Sequence, residues 1–191
     1  MIDIEELCDV LPIEFNDKVL NCLSYDDIGW YIENCRKPYY EEFMDFKYSR
    51  DITKYKMHKA LTSLVRSYNT RFKAKYEVRM LLKDKNTQEI YGGMILNDIR
   101  DNNRLEISYF IVPKYQHQHL AEEMVGNFIK VINNSSIRFE GLEAIIQSGN
   151  KASIGLVEKL GFKNTASLKG KYTMNLVYYL PRIGGYTRIW F

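Results

Sequence analysis

Between Asp51 and Phe72, the apolar residues Met57, Leu61, Leu64, Val65, Tyr68 and Phe72 recur at three- and four-residue steps. That is the period of one helix face, and it predicts a long amphipathic helix. The same period returns in Leu120, Met124, Val125, Phe128, Val131 and Ile132, predicting a second helix over about 119–132. Alternation takes over in Leu105 to Val112, which reads as a strand stopped by Pro113, a residue with no N–H for a ladder. Shorter strands are predicted over 18–24, 76–82, 89–96, 142–147 and 176–180. Asp26 and Asp27 open a helical stretch broken at Pro38. Asn150 caps a short helix carrying Ile154, Val157 and Leu160, and Gly161 stands where a helix end wants positive φ.

The most informative unit is strand 105–112, helix 119–132, strand 142–147. Two strands joined through a helix of this length run parallel. Ligands of such sheets bind beyond the carboxyl ends of the strands. Those ends are Val112 to Gln116 and Gln147 to Asn150, and the chemistry is expected there.

A chain of 191 residues with 46% hydrophobic and 27% charged positions is large enough to bury a core without disulfide or metal. Glycine and proline punctuation adds no linker, so one domain is expected over 1–191, with a core about 76–180 and a helical part about 25–75. The three cysteines, Cys8, Cys22 and Cys35, lack CxxC spacing, which argues against a zinc site and for a reducing, cytoplasmic compartment. The longest apolar run is too short to span a bilayer, so no membrane partner is expected.

Net charge is only +3, yet it is unevenly spread. Twelve acids precede Phe46 against Lys18, Arg36 and Lys37, and eleven Lys or Arg lie in 46–83 against Asp51 and Glu77. The plain reading is mutual neutralisation. A second reading uses the basic stretch, with Phe46, Tyr48, Tyr55, Tyr68, Phe72 and Tyr76 interleaved, as an RNA or ribosome contact. No P-loop, GxGxxG, HExxH or nucleophile elbow is present, so nucleotide hydrolysis, dinucleotide redox and serine hydrolysis lack support.

The segment Ile107 to Glu123, ISYFIVPKYQHQHLAEE, resembles the strand, P-x-Y-Q-G-x-G-x-A turn and helix of GNAT-superfamily N-acetyltransferases. Asn150 to Phe162, NKASIGLVEKLGF, is similar to that family's N-x-x-S-x-x-L-x-E-K-L-G-F. Ser153, where many relatives carry Ala, points to the RimJ/RimL-like branch, which acetylates ribosomal-protein N-termini. The likeness covers about residues 76–180. It implies an α/β (α+β) fold: a mixed, mostly antiparallel sheet with a splayed parallel strand pair, flanked by helices, with a helical N-terminal elaboration. It also implies acetyl transfer from acetyl-CoA, as co-substrate, to a primary amine on a protein N-terminus or small molecule. No metal takes part, and the state is monomer or homodimer.

The resemblance assigns cofactor binding to Ile111, Val112, Gln116, His117, Gln118, His119, Leu120, Ala121 and Asn150. Backbone groups of Ile111 and Val112 would pair with the pantetheine arm as an added strand. The physical basis of the turn is separate: a pyrophosphate needs backbone N–H groups converging at the positive end of a helix. Here His117 and His119 stand at the family's glycine positions. Histidine tolerates positive φ better than a β-branched residue, and a protonated imidazole favours phosphate. A His117-x-His119 metal pair lacks a third ligand nearby.

An amine is protonated at neutral pH, so a base must take its proton. Glu106 is the first candidate, since alternation places it on one face with Ser108, Phe110 and Val112; a surface carboxylate is the plain alternative. Ser153 matches the position proposed to help protonate the leaving thiolate in RimL-like enzymes, with Tyr172, Tyr178 and Tyr179 in reserve. Asn150 and Ser153 serve equally well as ordinary helix-start residues. Loss of the two glycines motivates one more alternative, a GNAT-fold CoA-binding or regulatory module without turnover.

Overall fold

The structure is a computed structural model that describes residues 4–43, 53–70, 77–99, 103–169 and 174–183. In chain order it runs α1 (Ile4–Asp9), β1 (Ile13–Phe15), β2 (Lys18–Cys22), α2 (Ile28–Cys35), α3 (Pro38–Phe43) and α4 (Lys54–Thr70). It continues β3 (Glu77–Asp84), β4 (Ile90–Ile99), β5 (Arg104–Ile111), α5 (Leu120–Asn133), β6 (Gly141–Gln147), α6 (Lys151–Lys159), β7 (Lys163–Lys169) and β8 (Met174–Pro181). The eight strands form one sheet in the order β1-β2-β3-β4-β5-β6-β8-β7. Every described pairing is antiparallel except β5 with β6, which is the mixed architecture the motif resemblance implies.

Strand alternation divides the core in two. Val78, Met80, Leu82, Met94, Leu96, Leu105 and Ile107 face α5 and α6, where Leu120, Met124, Val125, Phe128, Ile132 and Val157 are buried. Leu81, Ile95 and Phe110 point the other way, onto Ile28, Tyr31 and Ile32 of α2, Tyr40 of α3 and Met57, Leu61 and Val65 of α4. Tyr40 meets Phe110 edge-on with ring centroids 4.9 Å apart, a geometry aromatic quadrupoles favour. The three- and four-residue rhythm of the two long helices therefore records two different faces of one sheet.

Two stops position the site. Pro113 ends β5 in a short 3-10 turn, Pro113–Tyr115. Gly161 ends α6 with φ +95°, and the Phe162 N–H reaches back to the Val157 carbonyl at 3.0 Å, closing a Schellman-type cap. Phe162 is then driven into the core at 1% exposure.

Three elements depart from the sequence expectation: α1, β1 and β7. The first two are six and three residues long, too short for a period to register. β7, Lys-Asn-Thr-Ala-Ser-Leu-Lys, is exposed along its whole length, so no buried face marks it; it exists by pairing with β8. The expectations for Phe46, Tyr48, Phe72, Tyr76, Tyr172 and the tail 184–191 lie outside the described residues.

Part of the uneven charge is cancelled across elements. Lys83 on β3 reaches Asp27 at 2.6 Å, Lys54 on α4 pairs with Glu33 on α2, and Lys85 meets Glu14 at 2.9 Å. Asp27, 6% exposed, also accepts from the Ser24 N–H and hydroxyl at 3.1 and 2.6 Å, so this buried carboxylate is fully engaged.

Candidate active site

β5 and β6 pair through only three residues: Arg104 with Gly141, Leu105 with Leu142 and Glu106 with Glu143. Beyond that point β5 stays laddered to β4 as far as Ile111, and β6 to β8 as far as Gln147. Each strand keeps its outer partner while the inner edges part. The result is a cleft of about 330 Å³, whose lining includes Asn97, Glu106, Ser108, Tyr109, Ile145, Gln147, Asn150, Ser153, Leu168 and Asn175.

Glu106 stands at the last rung before the opening. Burial, and then the like charge of Glu143 on the adjacent strand, raise its carboxyl above the usual glutamate value. Glu143 is itself bonded to the Arg104 guanidinium at 3.1 Å, and that guanidinium lies 4.3 Å from the Tyr179 ring centre. A carboxylate of raised pKa lining a cleft is suited to proton uptake near neutral pH. Replacing Glu143 by Gln removes the repulsion and releases Arg104 toward Glu106. The acid limb of the kcat/KM profile is then expected to move to lower pH, while burial keeps it above that of an ordinary glutamate; a pH series on the purified variant measures this.

Asn150 caps α6, its side-chain oxygen accepting from the Ser153 N–H at 3.1 Å. The capping role and a place in the cleft wall coincide in one residue. The Tyr109 hydroxyl donates to the Ser153 carbonyl at 3.3 Å, tying β5 to α6 across the cleft. Burial pushes this phenol up to about 12, so it stays protonated at working pH.

The turn before α5 takes a backbone conformation that favours glycine. His117 and His119 both sit in the left-handed region, at φ 62° and 59°. His119 is the N-cap of α5 and makes no side-chain capping bond, so the first-turn N–H groups have no side-chain acceptor from it. Glu122 in that turn is held below the usual carboxylate range by Lys159, with His119 helping; the Lys159 contact is 2.7 Å. Left-handed φ costs a non-glycine residue about 1–2 kcal/mol, partly offset by the extra chain entropy glycine would lose. Changing either histidine to Gly is therefore expected to leave thermal stability unchanged or slightly raised, with acetyl-CoA affinity retained. His119→Val is expected to weaken that affinity at least tenfold, as calorimetry would read.

The backbone at the end of β5 is held from two sides. The Val112 N–H donates to the Tyr91 carbonyl at 2.9 Å, and its carbonyl accepts from the Tyr115 N–H at 2.8 Å, so its backbone is already engaged by β4 and the turn. Alternation then turns the polar groups of Ile111 toward the gap. The Ile111 carbonyl accepts from the Gln116 side-chain amide at 3.1 Å. Gln118 folds back on the Lys114 carbonyl at 3.4 Å, while Leu120 is buried and anchors the helix start beside the smaller Ala121.

Glu106 and the pair Asn150 and Ser153, distant from it in sequence, thus line one cleft, and residues 116–121 form the turn at the head of α5. Sequence reasoning missed Asn97, which is the β4 register partner of Glu106, because strand pairing is not readable from one chain. It missed Tyr109 because that residue shares a strand face with Ile107 and Ile111 and reads as core. Leu168 and Asn175 come from β7 and the start of β8, where no pattern marked a strand.

A positive-φ turn feeding a helix, beside a parallel pair that separates, defines a cleft for an elongated, phosphate-bearing ligand. Residues 19–163 match the family described as acetyltransferase (GNAT) domain. The chain belongs to the GNAT acetyltransferases; it is an N-acetyltransferase that uses acetyl-CoA. No curated protein sequence matches it. Among solved structures it resembles RimL, a ribosomal L7/L12 alpha-N-protein acetyltransferase in complex with coenzyme A. That likeness has 13% identity and TM-score 0.73 over 90% of this chain and 98% of that one. The ribosomal-protein-S5-alanine acetyltransferase of Vibrio fischeri follows at 16% and 0.71, covering 90% and 97%. Spermidine N-acetyltransferase of Vibrio cholerae, with CoA and spermine, stands at 15% and 0.70, covering 87% and 96%.

Proposed function

We propose that this enzyme transfers the acetyl group directly to a primary amine, on a protein N-terminus or a small molecule, with both substrates bound together. The observation that carries the reading is the end of the β5–β6 ladder at Glu106 and Glu143, which puts a raised-pKa carboxylate at the closed end of the cleft. When bound, acetyl-CoA supplies a thioester, an acyl group already activated toward an amine.

The residues present fit such a ligand. The left-handed turn at His117 and His119, the first-turn N–H groups of α5 and the gap-facing backbone of Ile111 would hold it. Glu106 takes the ammonium proton onto a carboxylate oxygen, freeing the nitrogen lone pair. Ser153 and the protonated Tyr109 stand on the α6 side, where a hydroxyl can donate to a departing sulfur. Holding amine and thioester in register between two rigid strands supplies much of the remaining acceleration.

The non-catalytic alternative drew on the missing glycines, and the histidines nonetheless hold the required φ. The RNA alternative drew on basic residues, of which Lys54 and Lys83 are paired within the protein. Among the described residues no helix is long and apolar enough to cross a membrane. We place the enzyme in the cytoplasm on its cysteine usage.

The test is thiol release from acetyl-CoA against free-N-terminus peptides, the same peptides N-terminally blocked, and spermidine. Turnover with a free amine, absent for the blocked peptide, supports the proposal. Turnover that needs no amine, or a ping-pong pattern with an acetylated enzyme, sinks it.

A further inference from the structure

Cys8 and Cys22 are fourteen positions apart, yet their sulfurs lie 3.8 Å from each other. The fold holds both of them there. Cys22 is the last residue of β2, in register with Met80 of β3, so its backbone is laddered in place. Cys8 follows Leu7, which is 2% exposed and packed into the core, so α1 cannot roll away. Both thiols are partly exposed, whereas Cys35 is buried in the separate cluster under α2 to α4. A disulfide needs sulfurs about 2.05 Å apart, and side-chain rotation has less than about 2 Å to cover.

We propose that Cys8 and Cys22 are a modification site, closing to a reversible intramolecular disulfide when the enzyme meets a peroxide. One thiolate attacks a peroxide oxygen, the O–O bond breaks, and a sulfenic acid forms with hydroxide, which takes up the proton the thiol lost. The second sulfur attacks the first, the S–S bond forms, and the sulfenyl oxygen leaves as water. Two thiols and one hydrogen peroxide become one disulfide and two waters. The hydrogen bond to the Cys8 sulfur, and then burial, raise the Cys22 thiol above its usual range, so Cys8 is the sulfur that meets the oxidant first, and Cys22 gives up its proton to the departing oxygen as it attacks Cys8. The bond staples α1 to β2 across the β1 hairpin, and Lys18 of that hairpin lies 3.9 Å from Glu123 on α5.

The experiment treats the full-length protein with hydrogen peroxide and maps the product by non-reducing digestion and mass spectrometry. The expected product has lost two hydrogens, carries a Cys8–Cys22 cross-linked peptide, and reverts with dithiothreitol. Closing a loop of this length is expected to shift the folding equilibrium by about a hundredfold, read as a higher denaturation midpoint for the oxidised form. Cys35→Ser should behave identically, and Cys8→Ser should give no intramolecular cross-link. No reaction in excess peroxide, sulfinic acids in place of the cross-link, or cross-links to Cys35 or between molecules would each overturn the proposal. The readout is covalent mass, so it fails or succeeds independently of the acetyl-transfer mechanism.

Discussion

Glu106→Gln lowers kcat for acetyl transfer by about two to four orders of magnitude, the usual worth of a positioned general base, while acetyl-CoA still binds. The substitution keeps shape and removes the acceptor for the amine proton. Because burial and Glu143 raise the Glu106 carboxyl, the group must lose its proton before it can act. Activity of the parent enzyme therefore falls on acidification, at a pH above the usual glutamate range, and the amine's own ionisation governs the rise on the alkaline side. The variant should lose the acid limb assigned to Glu106 and regain rate at high pH, where free amine is abundant. Steady-state kinetics across pH, with calorimetric acetyl-CoA binding beside it, checks both halves. A loss of less than threefold with an unchanged profile would assign the proton to another group.

Gly141→Val is expected to cost about 3 kcal/mol of stability, the range of overpacking in a core that cannot yield. Gly141 opens β6 at the rung opposite Arg104 of β5 and Pro181 of β8. A Cβ there would stand 2.5 Å from the Leu180 carbonyl oxygen and 2.5 Å from the Tyr179 ring. That ring cannot swing aside freely, since its hydroxyl donates to the Glu140 carbonyl at 3.0 Å and Arg104 covers its face. Backbone must therefore move, and it moves at the root of the splay. A lower urea midpoint with an unchanged m-value would register the loss. Gly155→Ala supplies the opposite sign: nothing lies within 4 Å of its Cβ position, inside α6, so helix propensity should add about 1 kcal/mol. Equal midpoints for the two variants would overturn this account.

The unit β5, α5, β6 was legible because each part buries one face against the same core, and burial of one face writes a period into sequence. The motif residues Asn150, Ser153 and Gly161 were legible for a related reason: caps and left-handed stops depend on local backbone chemistry. That both polar groups of Val112 are engaged, one by β4 and one by the following turn, was not legible, because the strand itself announces neither partner. Histidine at 117 and 119 obscured a turn whose φ values are those a glycine would take.

By itself, the sequence determined the order of most elements, the two helix faces, the strand–turn–helix at Pro113 to Leu120 and the family. These rest on interactions between residues near in the chain or on a single buried face. Only the tertiary structure decided where the β5–β6 ladder ends, that Asn97 lies opposite Glu106, that Glu143 and Arg104 set its charge environment, and that the exposed strand β7 exists. Those facts depend on which strands become neighbours and in what register, and pairing between distant segments leaves no periodic mark on either one.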